Sequence, residues 1–169
     1  MTTQPAQLPQ SNEVRTAWTM AAWLLIFLPV LELLVMVVDG AAGWEILIFF
    51  LRAAPFQVVI HLIIAICASR SQKFASERPI PRHLTWTMWA YLGFALLSAF
   101  IYPSIEEYRD FSVLTALGFS KGFAFSVAQG CVSLTVVLLL ALLFIWCDDL
   151  DRAHKARQKQ QREGSARGE

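Results

Sequence analysis

The chain has 169 residues, 56% of them hydrophobic and only 16% charged, against roughly 45–50% and about 25% in ordinary soluble domains. Its 14 Lys and Arg nearly balance 13 Asp and Glu, for a formal net charge of +1, so there is no basic surplus to hold nucleic acid and no such partner is expected. The charges cluster and leave four long runs that are apolar all round, which disfavours a soluble helical protein whose helices keep one polar face.

These properties predict an all-α, polytopic membrane protein: four transmembrane helices in a small antiparallel bundle, within a single domain. Residues 1–16, with Pro5, Pro9 and Asn12, read as a flexible cytoplasmic tail. The first span is expected at 17–38, long enough at about 1.5 Å per residue to cross a hydrocarbon core of roughly 30 Å. A signal peptide would also place a basic residue before an apolar run, but this run is too long for that and further spans follow. Asp39, Gly40 and Gly43 end it.

The second span, 45–69, is interrupted by Arg52, Ala53, Ala54 and Pro55. Proline inside a helix removes a hydrogen bond and kinks it, so the preferred reading is one kinked helix. The alternative is a re-entrant piece ending near Ala54. The third span, 84–102, has Trp86 and Trp89 at one end and Tyr102 and Pro103 at the other, as suits headgroup-level aromatics. Residues 104–122 carry a rough apolar stripe and read as a short extracytoplasmic interfacial helix. The fourth span is 123–146, and the transmembrane domain as a whole covers 17–147. In the polar cytoplasmic tail, 148–169, Asp148 with Arg152 and Asp151 with Lys155 have the i,i+4 spacing that supports a helix. From about Gln158 onward disorder is expected.

Orientation follows from the basic residues. Arg70, Lys73, Arg78 and Arg82 lie between spans two and three, and Arg152, Lys155, Arg157, Lys159, Arg162 and Arg167 follow span four. Only Arg109 and Lys121 fall on the opposite side, beside Glu106, Glu107 and Asp110. The positive-inside rule then puts both termini in the cytoplasm, and the plasma membrane is the expected location.

Two formal charges interrupt the apolar runs, Glu32 and Arg52, and charge at membrane depth is costly unless paired or hydrated. Counting about 1.5 Å per residue back from Val38 puts Glu32 about 9 Å below the outer end of span one. Arg52 comes out at a similar depth and Gln129 in the same layer. Spans joined by a short loop pack as an antiparallel hairpin, so Glu32 and Arg52 are expected to meet as a buried ion pair. Gln129 completes a candidate polar layer, read either as an internal staple or as a binding or translocation site. In a third reading Arg52 snorkels outward and forms no pair, leaving Glu32 with another partner. Secondary candidates are Gln57 and His61, one turn apart on the same face, and Tyr91 at about the depth of His61.

No cofactor or metal is expected. His61 has no second histidine nearby, since His83 and His154 belong to the loop and tail, and neither HExxH nor CxxC occurs. Cys67 and Cys147 lie near the cytoplasmic face, where thiols stay reduced by default, and Cys131 falls inside span four. Palmitoylation is the further option for Cys147. No serine-nucleophile or phosphate-cradling motif supports an enzyme. The layout and length are similar to those of the small membrane subunits of tripartite carriers, a likeness of topology that carries no residue roles. The expected function is a non-catalytic accessory, assembly or interaction subunit. Its partners would be the lipid bilayer and either other membrane subunits or copies of itself. A small transporter or channel component is the alternative, followed by a membrane-embedded enzyme.

Overall fold

The computed structural model describes residues 10–38, 49–74, 80–101 and 113–167, with the side chains of 10–12, 50, 52, 160 and 164–167 outside that description. Among the described residues the chain is helical and has no strand. Four helices are long and apolar enough to cross a membrane: Glu13–Val38, Ala54–Phe74, Arg82–Ile101 and Lys121–Glu163.

The first is a composite. Helix α1 (Gln10–Leu24) passes through a 3₁₀ turn (Leu25–Phe27) into α2 (Leu28–Val38). Pro29 accounts for the tightened turn: it has no N–H to offer the Leu25 carbonyl, and its ring crowds that oxygen. The carbonyl instead accepts from the Leu28 N–H. Helix starts at Gln10, inside the segment expected to be a flexible tail, and a buried Arg15 shows why. From Arg15 onward the helix is held by tertiary contacts.

A π-helical turn (Phe49–Ala53) leads into α3 (Ala54–Phe74). Pro55 again removes a donor, this time the one that would serve the Leu51 carbonyl, and a locally widened turn lets a carbonyl reach a later N–H. The irregularity expected at Arg52–Pro55 is therefore present as a π turn; residues 45–48 lie outside the described residues. Helix α4 (Arg82–Ile101) comes next, with the Leu84 N–H donating to the Pro81 carbonyl at 3.0 Å.

Of the expected interfacial helix, 104–112 lies outside the described residues, and the remainder holds a single turn, α5 (Val113–Ala116). It closes on Gly118, whose φ of +90° is open to glycine at little steric cost. Phe119 N–H bonds Leu114 and Gly118 N–H bonds Thr115, the paired bonds of a Schellman cap. Ser120 then caps α6 (Lys121–Arg167), accepting from Phe123 N–H at 3.3 Å.

Helix α6 has 47 residues, about 70 Å at 1.5 Å per residue, and is apolar only to Cys147. The polar part expected to become disordered stays helical to Arg167. Both anticipated pairs form, Arg152–Asp148 at 2.7 Å and Lys155–Asp151 at 2.5 Å. This extension also touches the rest of the protein: Ala153 is buried, and His154 and Arg157 both meet the Phe74 ring at the end of α3.

Each long helix places one stripe in a common core. Leu25 and Leu28, Ile60 and Ile64, Leu84, Met88 and Ala95, and Leu139, Leu142 and Trp146 pack together. Helix α3 lies against α1 and α6, and α4 against α6 and α2. Ala65, Ala68, Ala95, Ala124 and Ala128 are all fully buried, and small side chains at these positions let the helix backbones approach closely. Hydroxyls on the apolar helices turn back on their own carbonyls, as Thr19 does to Arg15, Ser69 to Ala65 and Ser133 to Gln129, which satisfies these donors without help from water.

Candidate functional site

One polar chain crosses the core. Glu32 on α2 is 4% exposed, and its Oε1 accepts from Gln57 Nε2 on α3 at 3.0 Å. The same amide nitrogen donates to Tyr91 Oη on α4, also at 3.0 Å, and Tyr91 Oη lies 2.7 Å from His61 Nε2. An amide nitrogen has two hydrogens, so Gln57 serves both acceptors at once. The result ties three helices through side chains that are each buried among apolar neighbours.

Helix geometry explains the convergence. Gln57 and His61 are four residues apart and share a face, which turns to Tyr91 from two successive levels. The His61 and Tyr91 rings meet edge to face at a centroid distance of 5.6 Å. Tyr91 is fully buried within the stripe formed by Leu84, Met88 and Ala95, so its hydroxyl is delivered into the core rather than to the surface.

This differs from the layer expected from depth counting. Glu32 takes part, and its described partner is Gln57. Gln129 is exposed on α6 and is no buried member of the layer. Arg52 belongs to the π turn, and its side chain lies outside the described residues. The secondary candidates Gln57, His61 and Tyr91 are the residues brought together with Glu32.

Chemically the chain holds a carboxyl, an amide, a phenol and an imidazole. If Tyr91 donates to His61 Nε2, the imidazole hydrogen sits on Nδ1; if His61 donates, Nδ1 is a bare acceptor. In either case Nδ1 is buried with no hydrogen-bond partner among the described residues. The amide in the middle is a poor proton conductor, because passing a proton through it requires a high-energy imidic tautomer. Within this chain, direct proton exchange between neighbours is therefore open to His61 and Tyr91. Among the described residues no group of three His, Cys, Asp or Glu could hold a metal.

A second polar cluster, not foreseen from the sequence, closes the other end of the core. Arg15 on α1 is fully buried and donates from Nη1 to Ser71 Oγ on α3 at 2.7 Å and to Asp149 Oδ2 on α6 at 3.0 Å. The Ser71 hydroxyl donates to that same carboxylate oxygen. Trp146, one turn before Asp149, is fully buried, and its Nε1 and the Asp149 Oδ1 have no partner among the described residues. Flanking bonds join α1 to α3 on the same side, Trp23 to Ser69 at 2.9 Å and Gln72 to Thr16 at 2.8 Å. The available sequence signal was weak: Arg15 and Ser71 fall on helix faces that point inward only once Ala22 and Ala68 are known to be core.

Between α2 and α4 an open apolar groove is lined by Leu31, Val35, Gly93, Leu96, Leu97 and Phe100. Comparison with protein-family models, curated proteins and solved structures returns no match, so no relative lends a role to these residues.

Proposed function

We propose that the chain is a multi-pass protein of the plasma membrane, a bundle of four transmembrane helices with both termini cytoplasmic, acting as a non-catalytic accessory or interaction subunit. The observation that carries this reading is the division between interior and surface. Glu32, Gln57, His61 and Tyr91 spend their polar atoms largely on one another. The outward faces instead present Phe27, Val30, Leu34, Val37, Phe56, Val59, Val136, Val137 and Phe144, suited to lipid or to neighbouring helices. The buried network then works as a staple that fixes helix register, and the apolar surface is the working face.

Co-purification from native membranes in mild detergent tests this. The reading expects either a stoichiometric membrane partner or a defined self-assembly; a monodisperse monomer with no partner refutes it. Reporter fusions test topology, which requires a cytoplasmic reporter placed after Glu169 to be active.

A small transporter or channel component is the second reading, favoured by a buried His61 Nδ1 that has no hydrogen-bond partner among the described residues, on a ring bonded to the Tyr91 phenol. It predicts that Glu32→Gln and His61→Gln leave a folded protein that has lost flux or its growth phenotype. A staple predicts that any loss of function tracks loss of stability.

A further inference from the structure

Cys67 on α3 and Cys147 on α6 are 80 positions apart, yet their sulfurs lie 3.8 Å from each other. Both are free thiols; Cys67 is buried and Cys147 exposed. We infer that the pair is a dithiol modification site, which a hydroperoxide-class oxidant converts into a Cys67–Cys147 disulfide joining α3 to α6.

The asymmetry in exposure assigns the order of events. Cys147 is the sulfur an oxidant can reach, and Cys67 is held against it as the resolving thiol. The Cys147 thiolate attacks one peroxide oxygen. A sulfur–oxygen bond forms, the oxygen–oxygen bond breaks, and the leaving oxygen departs as water or an alcohol after taking up a proton. The Cys67 sulfur then attacks the Cys147 sulfenic sulfur. The sulfur–sulfur bond forms, the sulfur–oxygen bond breaks, and the hydroxyl leaves as water. Two thiols lose two electrons and two protons, and one peroxide is reduced.

Closing the gap to a bond of about 2.05 Å takes side-chain rotation and a small approach of two helices already in contact. The third cysteine, Cys131, lies four to five turns before Cys147 on the same helix, too far along α6 to compete. Ser71 follows Cys67 by one turn, and Asp149 follows Cys147 by two residues. The cross-link would therefore form beside the Arg15–Ser71–Asp149 cluster and fasten the same end of α3 and α6 covalently.

The test uses the full-length protein in its native membrane. Hydrogen peroxide is added, free thiols are alkylated, and peptides are mapped by mass spectrometry with and without a thiol reductant. The expected product is an intramolecular Cys67–Cys147 peptide pair lighter by two hydrogens, reversible by reductant, with Cys131 still alkylated. Its formation should be about tenfold or more faster in the folded than in the denatured protein, because folding supplies the proximity. In Cys67→Ala a sulfenic acid should accumulate on Cys147 and be trapped by a cyclic dione; in Cys147→Ser the cross-link should vanish. Equal rates in folded and denatured protein, cross-links between separate chains, or a Cys147 oxidised while Cys67 remains alkylatable would each overturn the inference. None of these readouts depends on the protein's partner or on any transport activity.

Discussion

Replacing Arg15 with Met is the sharpest available test of what holds the helices together. The side chain is fully buried, and its partner Asp149 is 3% exposed. Removing the guanidinium leaves the Asp149 carboxylate buried, with the Ser71 hydroxyl as its remaining described donor. Breaking one side of such a pair costs about 3–5 kcal/mol, a shift in the folding equilibrium of two orders of magnitude or more. The double variant Arg15→Met with Asp149→Leu removes both charges and fills the space with apolar side chains, and should recover most of that loss. The exposed pair Arg152–Asp148 is the internal control: its side chains are 61% and 53% exposed, so Asp148→Ala should cost no more than about 0.5 kcal/mol. Reversible unfolding in mixed detergent micelles, followed by tryptophan fluorescence, measures Arg15→Met, the single Asp149→Leu, their double variant and Asp148→Ala. An Arg15→Met variant within about 0.5 kcal/mol of the parent, or single losses that simply add in the double variant, would refute the buried pair.

The core network makes smaller and separable demands. Gln57→Leu removes two hydrogen bonds at once, each worth about 0.6 and at most about 1.7 kcal/mol between apolar helices, so unfolding should show a loss of about 1–3 kcal/mol. Less than that would mean Glu32 and Tyr91 find other partners. Glu32→Gln keeps a carbonyl oxygen for Gln57 to donate to and should cost less than about 1 kcal/mol; a larger loss would show that the second carboxyl oxygen carries a structural contact. Gln129→Ala, on an exposed face, should stay within about 0.5 kcal/mol of the parent, and a strong effect would restore it to the polar layer. Gly118→Ala meets no steric obstacle, but it forces a residue with a side chain to φ of +90°, so thermal unfolding should register a loss of about 1 kcal/mol.

Helix content and the four apolar segments were legible in the sequence, because both are local quantities: run length, absence of charge, and helix-disturbing residues such as Pro55. The i,i+4 pairs at the start of the tail were legible for the same reason, since a helix fixes its own near neighbours. The shared face of Gln57 and His61 followed from helical period alone. Depth counting was less informative. It grouped Glu32 with Arg52 and Gln129 at one level and His61 with Tyr91 at another, whereas Glu32, Gln57, Tyr91 and His61 form one continuous chain.

The reason lies in the two irregular turns and in helix rotation. A 3₁₀ turn at Leu25–Phe27 and a π turn at Phe49–Ala53 each depart from 3.6 residues per turn, so every side chain beyond them is rotated away from the face a regular helix would give it. Rise per residue locates a side chain along an axis but does not say which neighbour that side of the helix meets. By itself, then, the sequence determined that this chain makes four long apolar helices and where their polar exceptions fall along each one. Only the tertiary structure decided that Arg15 leaves the tail for a buried pair with Asp149, that Glu32 meets Gln57, and that Cys67 and Cys147 face each other. Those meetings depend on rotation and packing between segments up to 134 positions apart, which no local pattern records.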